Sequence, residues 1–305
     1  MKDYYPSRLA SEPSVTPRRD PVVYGDWSPA APLSAEETDF YRKNGFLALK
    51  GVFDADEVRL LQGEAARLHA GGGDIDPETA ITEPGSGAVR SVFKIHAQSA
   101  VFRRLTEDAR LVRVAEFLLG DNVYIHQSRL NYKPGFQGKD FYWHSDFETW
   151  HVEDGMPLMR ALSMSVLLTD NHAVNSPTMF VAGSHAHFVA CVGETPEEHY
   201  KKSLKKQEYG VPDEQILAEM AHRNGVAMPT GAAGTVVIFE CNVMHGSNSN
   251  ITPFPRSNAF IVYNAISNKL VEPFGPEKPR PEFIAARKNV RVVRAQSGRL
   301  DKAAA

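Results

Sequence analysis

The residues best able to do chemistry lie in the run Trp143-His144-Ser145-Asp146-Phe147-Glu148-Thr149-Trp150-His151. His144 and Asp146 are two positions apart, and in an extended strand positions i and i+2 point to the same face. The spacing predicts one imidazole and one carboxylate aimed at a common point. Alone, a His-x-Asp pair arises by chance in many proteins, and two ligands do not make a catalytic metal site. A third candidate comes 101 residues later. Gly234–Glu240 reads as a strand, and Met244-His245-Gly246-Ser247 follows it. Two histidines and one carboxylate on one side of a metal suit non-haem Fe(II) and leave its other positions open.

Arg256 stands 11 residues beyond His245, ahead of the apolar stretch Ala259–Val262. A 2-oxo acid bound to iron needs a cation for its far carboxylate, and a guanidinium offers a planar two-donor fork. Strand parity extends the set. Arg256, Asn258, Phe260 and Val262 share one face, and Gln127, Arg129, Asn131 and Lys133 share another. Four long polar residues in a row ordinarily mean a solvated face. The opposite side (His126, Ser128, Leu130, Tyr132) is no convincing core face either, so a polar interior cavity is expected. Ala161, Ser163 and Ser165 form a small-residue face with room for a ligand. His151, His172, His185 and His187 are read as structural or as supports behind the ligands, since no carboxylate follows His185-x-His187 at a useful spacing. Ser184-His185 lacks a nucleophile-elbow pattern, and no phosphate-binding glycine motif follows a strand.

These side chains need a scaffold. Six prolines within residues 1–33 predict an extended arm that wraps a body or stays loose. Ser34 and Glu37 form a capping-box pattern for a helix that Gly45 ends, and Phe46–Leu49 reads as a strand. Asp54 caps a second helix, stopped at Gly71-Gly72-Gly73, and residues 74–90 read as a loop. A third helical region spans about 99–119. Strands are then expected at Val123–Lys133, Phe141–Ser145, Arg160–Thr169, Thr178–Ala182, Thr235–Phe239 and Asn258–Asn264, with a helix at Asp213–Arg223. Residues 183–212 form an irregular stretch, either a lid or an insertion. Helices followed by many strands imply an α+β chain with a mainly β core, a jelly roll or double-sheet barrel flanked by N-terminal helices. The expected division is an arm (1–33) and one domain (34–305), with its helical flank over about 34–120 and its β core over about 121–270.

Composition sets the limits. The 305 residues are 42% hydrophobic and 23% charged, enough for a sizeable core. A net charge of -3 argues against nucleic-acid or membrane-surface partners. No apolar run approaches membrane-spanning length, and the charged, Pro-rich start lacks a signal-peptide core. Cys191 and Cys241 make no disulfide framework, which favours a reducing cytoplasm.

The stretch from Phe141 to Asn171, Phe-Tyr-Trp-His-Ser-Asp-Phe-Glu-Thr-Trp-His-Val-Glu-Asp-Gly-Met-Pro-Leu-Met-Arg-Ala-Leu-Ser-Met-Ser-Val-Leu-Leu-Thr-Asp-Asn, resembles the signature segment of the ectoine hydroxylases, within the phytanoyl-CoA-hydroxylase-like branch of the Fe(II)/2-oxoglutarate dioxygenases. The resemblance covers about residues 33–290. It implies a double-stranded β-helix (cupin-like) and a cytoplasmic enzyme, often a homodimer. The implied reaction is hydroxylation of ectoine to 5-hydroxyectoine with O2, in compatible-solute synthesis under stress. By position it implies His144, Asp146 and His245 as catalytic iron ligands. Phe141, Asn131, Lys133, Ser247 and Arg256 fall on the 2-oxoglutarate side, and Gln127, Trp150, Asn258, Phe260, Arg129 and Thr149 on the substrate side. Other readings are a related dioxygenase for another small amino-acid-like substrate, or a non-catalytic cupin-like binding protein.

Overall fold

The expected strands pair into two main sheets in the computed structural model, which describes residues 2–71, 75–82, 89–198, 200–203, 209–288 and 290–302. The larger sheet has seven strands in the order Phe46–Leu49, Val236–Glu240, Ala161–Leu167, Arg256–Ala265, Val123–Lys133, Val89–Phe93, Ala80–Thr82. The smaller has four: Val226–Ala227, Met179–Val181, His245–Ser247, Phe141–His144. All named pairings are antiparallel. This is the expected jelly-roll core.

Strict alternation explains how the larger sheet is buried on both faces. In Val236–Glu240, Val236 and Ile238 join the cluster under the helices. Val237 and Phe239 turn inward to meet Phe46, Phe180 and Phe260 between the sheets. The helices Ala55–His69, Ala100–Thr106 and Ala109–Leu119 supply Leu61, Leu68, Phe102, Leu105, Leu111 and Leu118 to the outer cluster, against Leu130, Met164, Ala259 and Ile261. Each fully buried leucine contributes roughly 1.5–3 kcal/mol.

The N-terminal helices follow their caps. Ser34 and Glu37 form the capping box of Ala35–Asn44, which stops at left-handed Gly45. Asp54 and Glu57 do the same for Ala55–His69. That helix is capped at Ala70, ahead of the expected glycines, of which Gly72 and Gly73 lie outside the described residues. The helical region of about 99–119 is two helices, Ala100–Thr106 and Ala109–Leu119, preceded by the short helix Ile95–Gln98, because Ser99 and Asp108 each start a new helix. The expected loop 74–90 contains Ala80–Thr82 and the start of Val89–Phe93, which extend the larger sheet; residues 74 and 83–88 lie outside the described residues.

The strand starting at Phe141 ends at His144. Ser145 caps a helix, Asp146–Asp154, by accepting from the Glu148 N–H. His144 and Asp146 therefore do not alternate along one strand; the histidine ends a strand and the aspartate opens a helix.

The arm wraps the body. Ser14–Pro17 pairs antiparallel with His187–Ala190, Tyr5 is buried against Phe147 and Phe188, and Arg18 forms a buried ion pair with Glu240 at 2.7 Å. Within the stretch 183–212, expected as a lid or an insertion, the regular elements among the described residues are this strand, the 3-10 turn Ser184–Ala186 and the one-turn helix Tyr200–Ser203; residues 199 and 204–208 lie outside the described residues. Among the described residues no helix is long and apolar enough to cross a membrane.

Candidate metal centre and its two cavities

The long strands Val123–Lys133 and Arg256–Ala265 pair residue for residue: Lys133 faces Arg256, Asn131 faces Asn258, Arg129 faces Phe260 and Gln127 faces Val262. Paired positions in register share a face, so the polar row inferred from parity does point to the interior. On the next strand, Ser165 is opposite Phe260 and Ser163 is opposite Val262. Parity fails at one place. A bulge between Val262 and Tyr263 makes His126 the extra residue. Its ring is fully buried, edge-on to Trp150 at 5.1 Å, rather than on the face shared by Ser128 and Leu130.

His144 and His245 are cross-strand partners in the smaller sheet. Their Nε2 atoms lie 3.6 and 3.9 Å from Asp146 Oδ1, and one ligand atom from each of the three residues falls within 4.8 Å of the others. Each histidine Nδ1 bonds a backbone carbonyl two residues back: His144 to Tyr142 at 2.8 Å and His245 to Val243 at 3.0 Å. Those bonds fix the tautomer with the proton on Nδ1 and turn the Nε2 lone pairs toward Asp146. Ser163 donates to Asp146 Oδ2 at 3.2 Å, leaving Oδ1 directed at the histidines. Burial opposes ionisation of Asp146, yet His245, His144 and Arg129 hold its carboxyl well below the usual carboxylate range. Burial, with His144 beside it, pushes His245 down to about 4. A charged carboxylate and an unprotonated His245 imidazole are the states a metal requires, and His144 turns its Nε2 lone pair to the same point, so these residues fit a divalent cation.

Two cavities meet at this centre. One is lined by Arg90, Phe93, Arg129, Asn131, Phe141, Ser247, Arg256 and Phe260, with His144 and His245. Arg256 is 2% exposed. Its Nη1 donates to the Ser176 carbonyl, and its Nε has no hydrogen-bond partner. Burial, with Arg90 and Arg129 nearby, pushes it down to about 10, so it stays charged at neutral pH. Arg129 Nε is likewise buried and unpartnered, its guanidinium between the Phe93 and Phe260 rings. Unpaired buried guanidinium donors are costly, and a small carboxylate in this cavity would answer them. Lys133 stands behind it, donating to Ser176 Oγ (2.9 Å), Ser247 Oγ (2.8 Å) and the Asn248 carbonyl (2.6 Å).

The second cavity is lined by Gln127, Arg129, Phe141, Thr149, Trp150, Glu153, Tyr200 and Arg280, again with His144 and with Asp146. The structure thus brings Gln127, Trp150, Arg129 and Thr149 together, with Thr149, Trp150 and Glu153 all carried by the helix that Asp146 opens. Gln127 Nε2 donates to the Ile284 carbonyl at 2.8 Å, tying the strand to the C-terminal segment. Phe260 faces the Arg256 cavity instead, and Asn258 lines neither, its Nδ2 donating to Ser165 at 3.1 Å. Sequence reasoning missed Arg90, His126, Glu153, Tyr200 and Arg280. Arg280 forms an ion pair with Asp154 and stands 3.5 Å from Glu153 Oε2. Arg90 sits on the strand Val89–Phe93, His126 on the bulge, Glu153 on the Asp146–Asp154 helix, and Tyr200 and Arg280 on distant segments, with no motif that links them. For Glu153 one signal exists, the helix-start pattern Ser145-x-x-Glu148 ahead of it.

A jelly roll with a 2-His-1-carboxylate face at its mouth and a buried arginine beyond it defines a class, the cupin-like metal oxygenases. The match is narrower than that class. Residues 41–258 match the model of the phytanoyl-CoA dioxygenase (PhyH) family, and the chain belongs to this family. It is 59% identical over 300 residues to the ectoine dioxygenase of Sphingopyxis alaskensis, covering 98% of both chains. A crystal structure of EctD from S. alaskensis with 2-oxoglutarate and 5-hydroxyectoine superposes with a TM-score of 0.90 at 55% identity, over 98% of this chain and 100% of that one. The same protein with bound Fe gives 0.90 at 54% identity, with the same coverage.

Proposed function

We propose that the protein is an Fe(II)- and 2-oxoglutarate-dependent dioxygenase that hydroxylates ectoine to 5-hydroxyectoine. The observation that carries this reading is the meeting of two differently built cavities at one His144–Asp146–His245 face. Supporting it, the S. alaskensis relative is an ectoine dioxygenase, and its EctD binds iron, 2-oxoglutarate and 5-hydroxyectoine.

In this reading His144, Asp146 and His245 hold the iron. Bound Fe(II), with 2-oxoglutarate and O2, supplies the oxidising power that exchanges a C–H for a C–OH and releases succinate and CO2. Arg256 binds the far carboxylate of 2-oxoglutarate, with Ser247 beside it and Lys133 holding Ser247 in place. Asn131 and Phe141 complete that wall. Ectoine is a small ring with a delocalised amidinium and a carboxylate. The Trp150 indole suits the cation; Gln127, Thr149 and Arg129 offer polar contacts for the remainder, while Phe260 stands on the Arg256 side and Asn258 acts from behind the wall through its bond to Ser165. The aromatic walls exclude water and orient one C–H toward the metal face.

The finer parts of the reading are one dioxygenase domain over residues 34–305 behind the arm, a homodimer, a cytoplasmic location and a role in osmotic or thermal stress. Size-exclusion chromatography tests the dimer. The test of the substrate is succinate release with ectoine against a panel of amino-acid-like rings and acids. Release that depends on ectoine supports the reading. Release driven by another compound and not by ectoine moves the protein to a different substrate within the same chemistry.

A further inference from the structure

The helix Asp146–Asp154 carries Asp146, Thr149, Trp150 and Glu153 into the substrate cavity. Its other contacts are gripped from outside by the arm. Arg8 is 7% exposed. It donates to both oxygens of Glu148 (Nε–Oε1 3.0 Å, Nη2–Oε2 2.7 Å), to Glu153 Oε1 (2.7 Å) and to Thr195 Oγ1 (3.0 Å). Ser7 Oγ adds a bond to Glu148 at 2.6 Å, and the backbone is locked by Arg8 N to the Cys191 carbonyl at 2.9 Å. Arg8 adopts φ 60, a conformation non-glycine residues rarely take. That cost is offset where the surrounding contacts over-determine it. The guanidinium thus spans two carboxylates five residues apart on the helix that lines the cavity, and one of them, Glu153, is itself a cavity wall residue.

We propose that Arg8 is a positioning residue for substrate recognition. By holding Oε1 of Glu153, it sets that carboxylate beside Trp150 to meet the positive end of the substrate. The arm is thereby part of the specificity wall. This rests on the proposed reading of the substrate as a small ring bearing both a cationic amidinium and a carboxylate. A carboxylate next to an indole face is the chemistry such a cation selects, and a buried carboxylate keeps its geometry only if its own partner is fixed.

The experiment compares wild type, Arg8→Met, Arg8→Lys and Glu153→Gln in the full chain, iron-loaded for kinetics and metal-free for binding. Two readouts are taken: KM for ectoine and for 2-oxoglutarate separately, and the rise in Tm caused by ectoine in metal-free protein, which reports binding without turnover. Arg8→Met and Glu153→Gln are expected to raise KM for ectoine by about tenfold or more, with KM for 2-oxoglutarate within about twofold of wild type. Both are expected to shrink the ectoine-induced Tm rise, and Arg8→Lys to recover part of it. If Arg8→Met does not fold, Glu153→Gln, which keeps shape and removes charge, decides. The proposal is overturned if these variants keep wild-type ectoine KM and Tm rise, or if both KM values move together, as for a general loss of packing. A wild-type protein that neither binds nor hydroxylates ectoine overturns the substrate reading itself, an outcome separate from wild-type behaviour in the variants.

Discussion

Arg256 is the residue on which the cosubstrate assignment depends. It is buried and charged, with an unpartnered Nε in the cavity beside His245. Truncating one member of a buried, hydrogen-bonded charge pair costs about 2–5 kcal/mol. Arg256→Ala is therefore expected to raise KM for 2-oxoglutarate by roughly 30-fold or more, measured by succinate formation at saturating ectoine. A lysine in its place lacks the fork and is expected to restore only part of the loss. Trp150 belongs to the other cavity. Losing a desolvated cation–π contact of about 2 kcal/mol predicts that Trp150→Ala raises KM for ectoine by about 30-fold and leaves 2-oxoglutarate nearly unaffected. A variant that shifted both constants equally would place the indole in packing rather than recognition. These residues were legible because their chemistry is local: a His-x-Asp, a late His and an Arg can be found by counting. Glu153 and Arg280 were not, since their pairing joins a helix to a segment more than a hundred residues away.

At the scale of elements, the strands were readable from period-two alternation and the N-terminal helices from their caps. The helix at Asp146 was hidden by composition. Its buried residues include Phe147, Glu148, Trp150, His151, Glu153 and Asp154, so polar and apolar side chains are buried on all sides and no apolar stripe marks its period. The His126 bulge was hidden for a different reason, because a one-residue register change leaves no trace in either strand alone. The helix stops at Gly155, at φ 74, where an added Cβ would stand 2.1 Å from the Val271 carbonyl oxygen. Gly155→Ala must push apart the helix end and the segment leading to Arg280. It is expected to lower stability by about 2 kcal/mol or more, read as a fall in the urea midpoint. An unchanged midpoint would show that this junction yields freely.

Across the whole molecule, the polar interior of the barrel is bought with an apolar shell outside it, and histidines partly or wholly withdrawn from water make that balance depend on pH. Burial, with Lys94 and Arg103 nearby, pushes His96 down to about 4, and its Nδ1 meets Ser128 Oγ at 2.6 Å. Burial pushes His126 down to about 3. Unfolded, both titrate near 6.5. Between about 4 and 6.5 the unfolded chain binds more protons than the folded one, so stability falls as pH falls through that window and is fully present above it. His96→Gln is expected to remove about 1–3 kcal/mol of this loss, measured by urea unfolding at pH 7 and pH 5. An equal pH dependence in both proteins would show that His96 is not its source.

The central claim is that one metal face serves a 2-oxo acid on one side and ectoine on the other. The most direct measurement adds Fe(II) and 2-oxoglutarate without oxygen, looks for the metal-to-ligand charge-transfer band, then admits ectoine and O2 and weighs the product. The account predicts the band in wild type, its loss in Asp146→Ala, and ectoine heavier by one oxygen atom with matching succinate. A band followed by succinate with no oxygenated ectoine, or full turnover in Asp146→Ala, would contradict it.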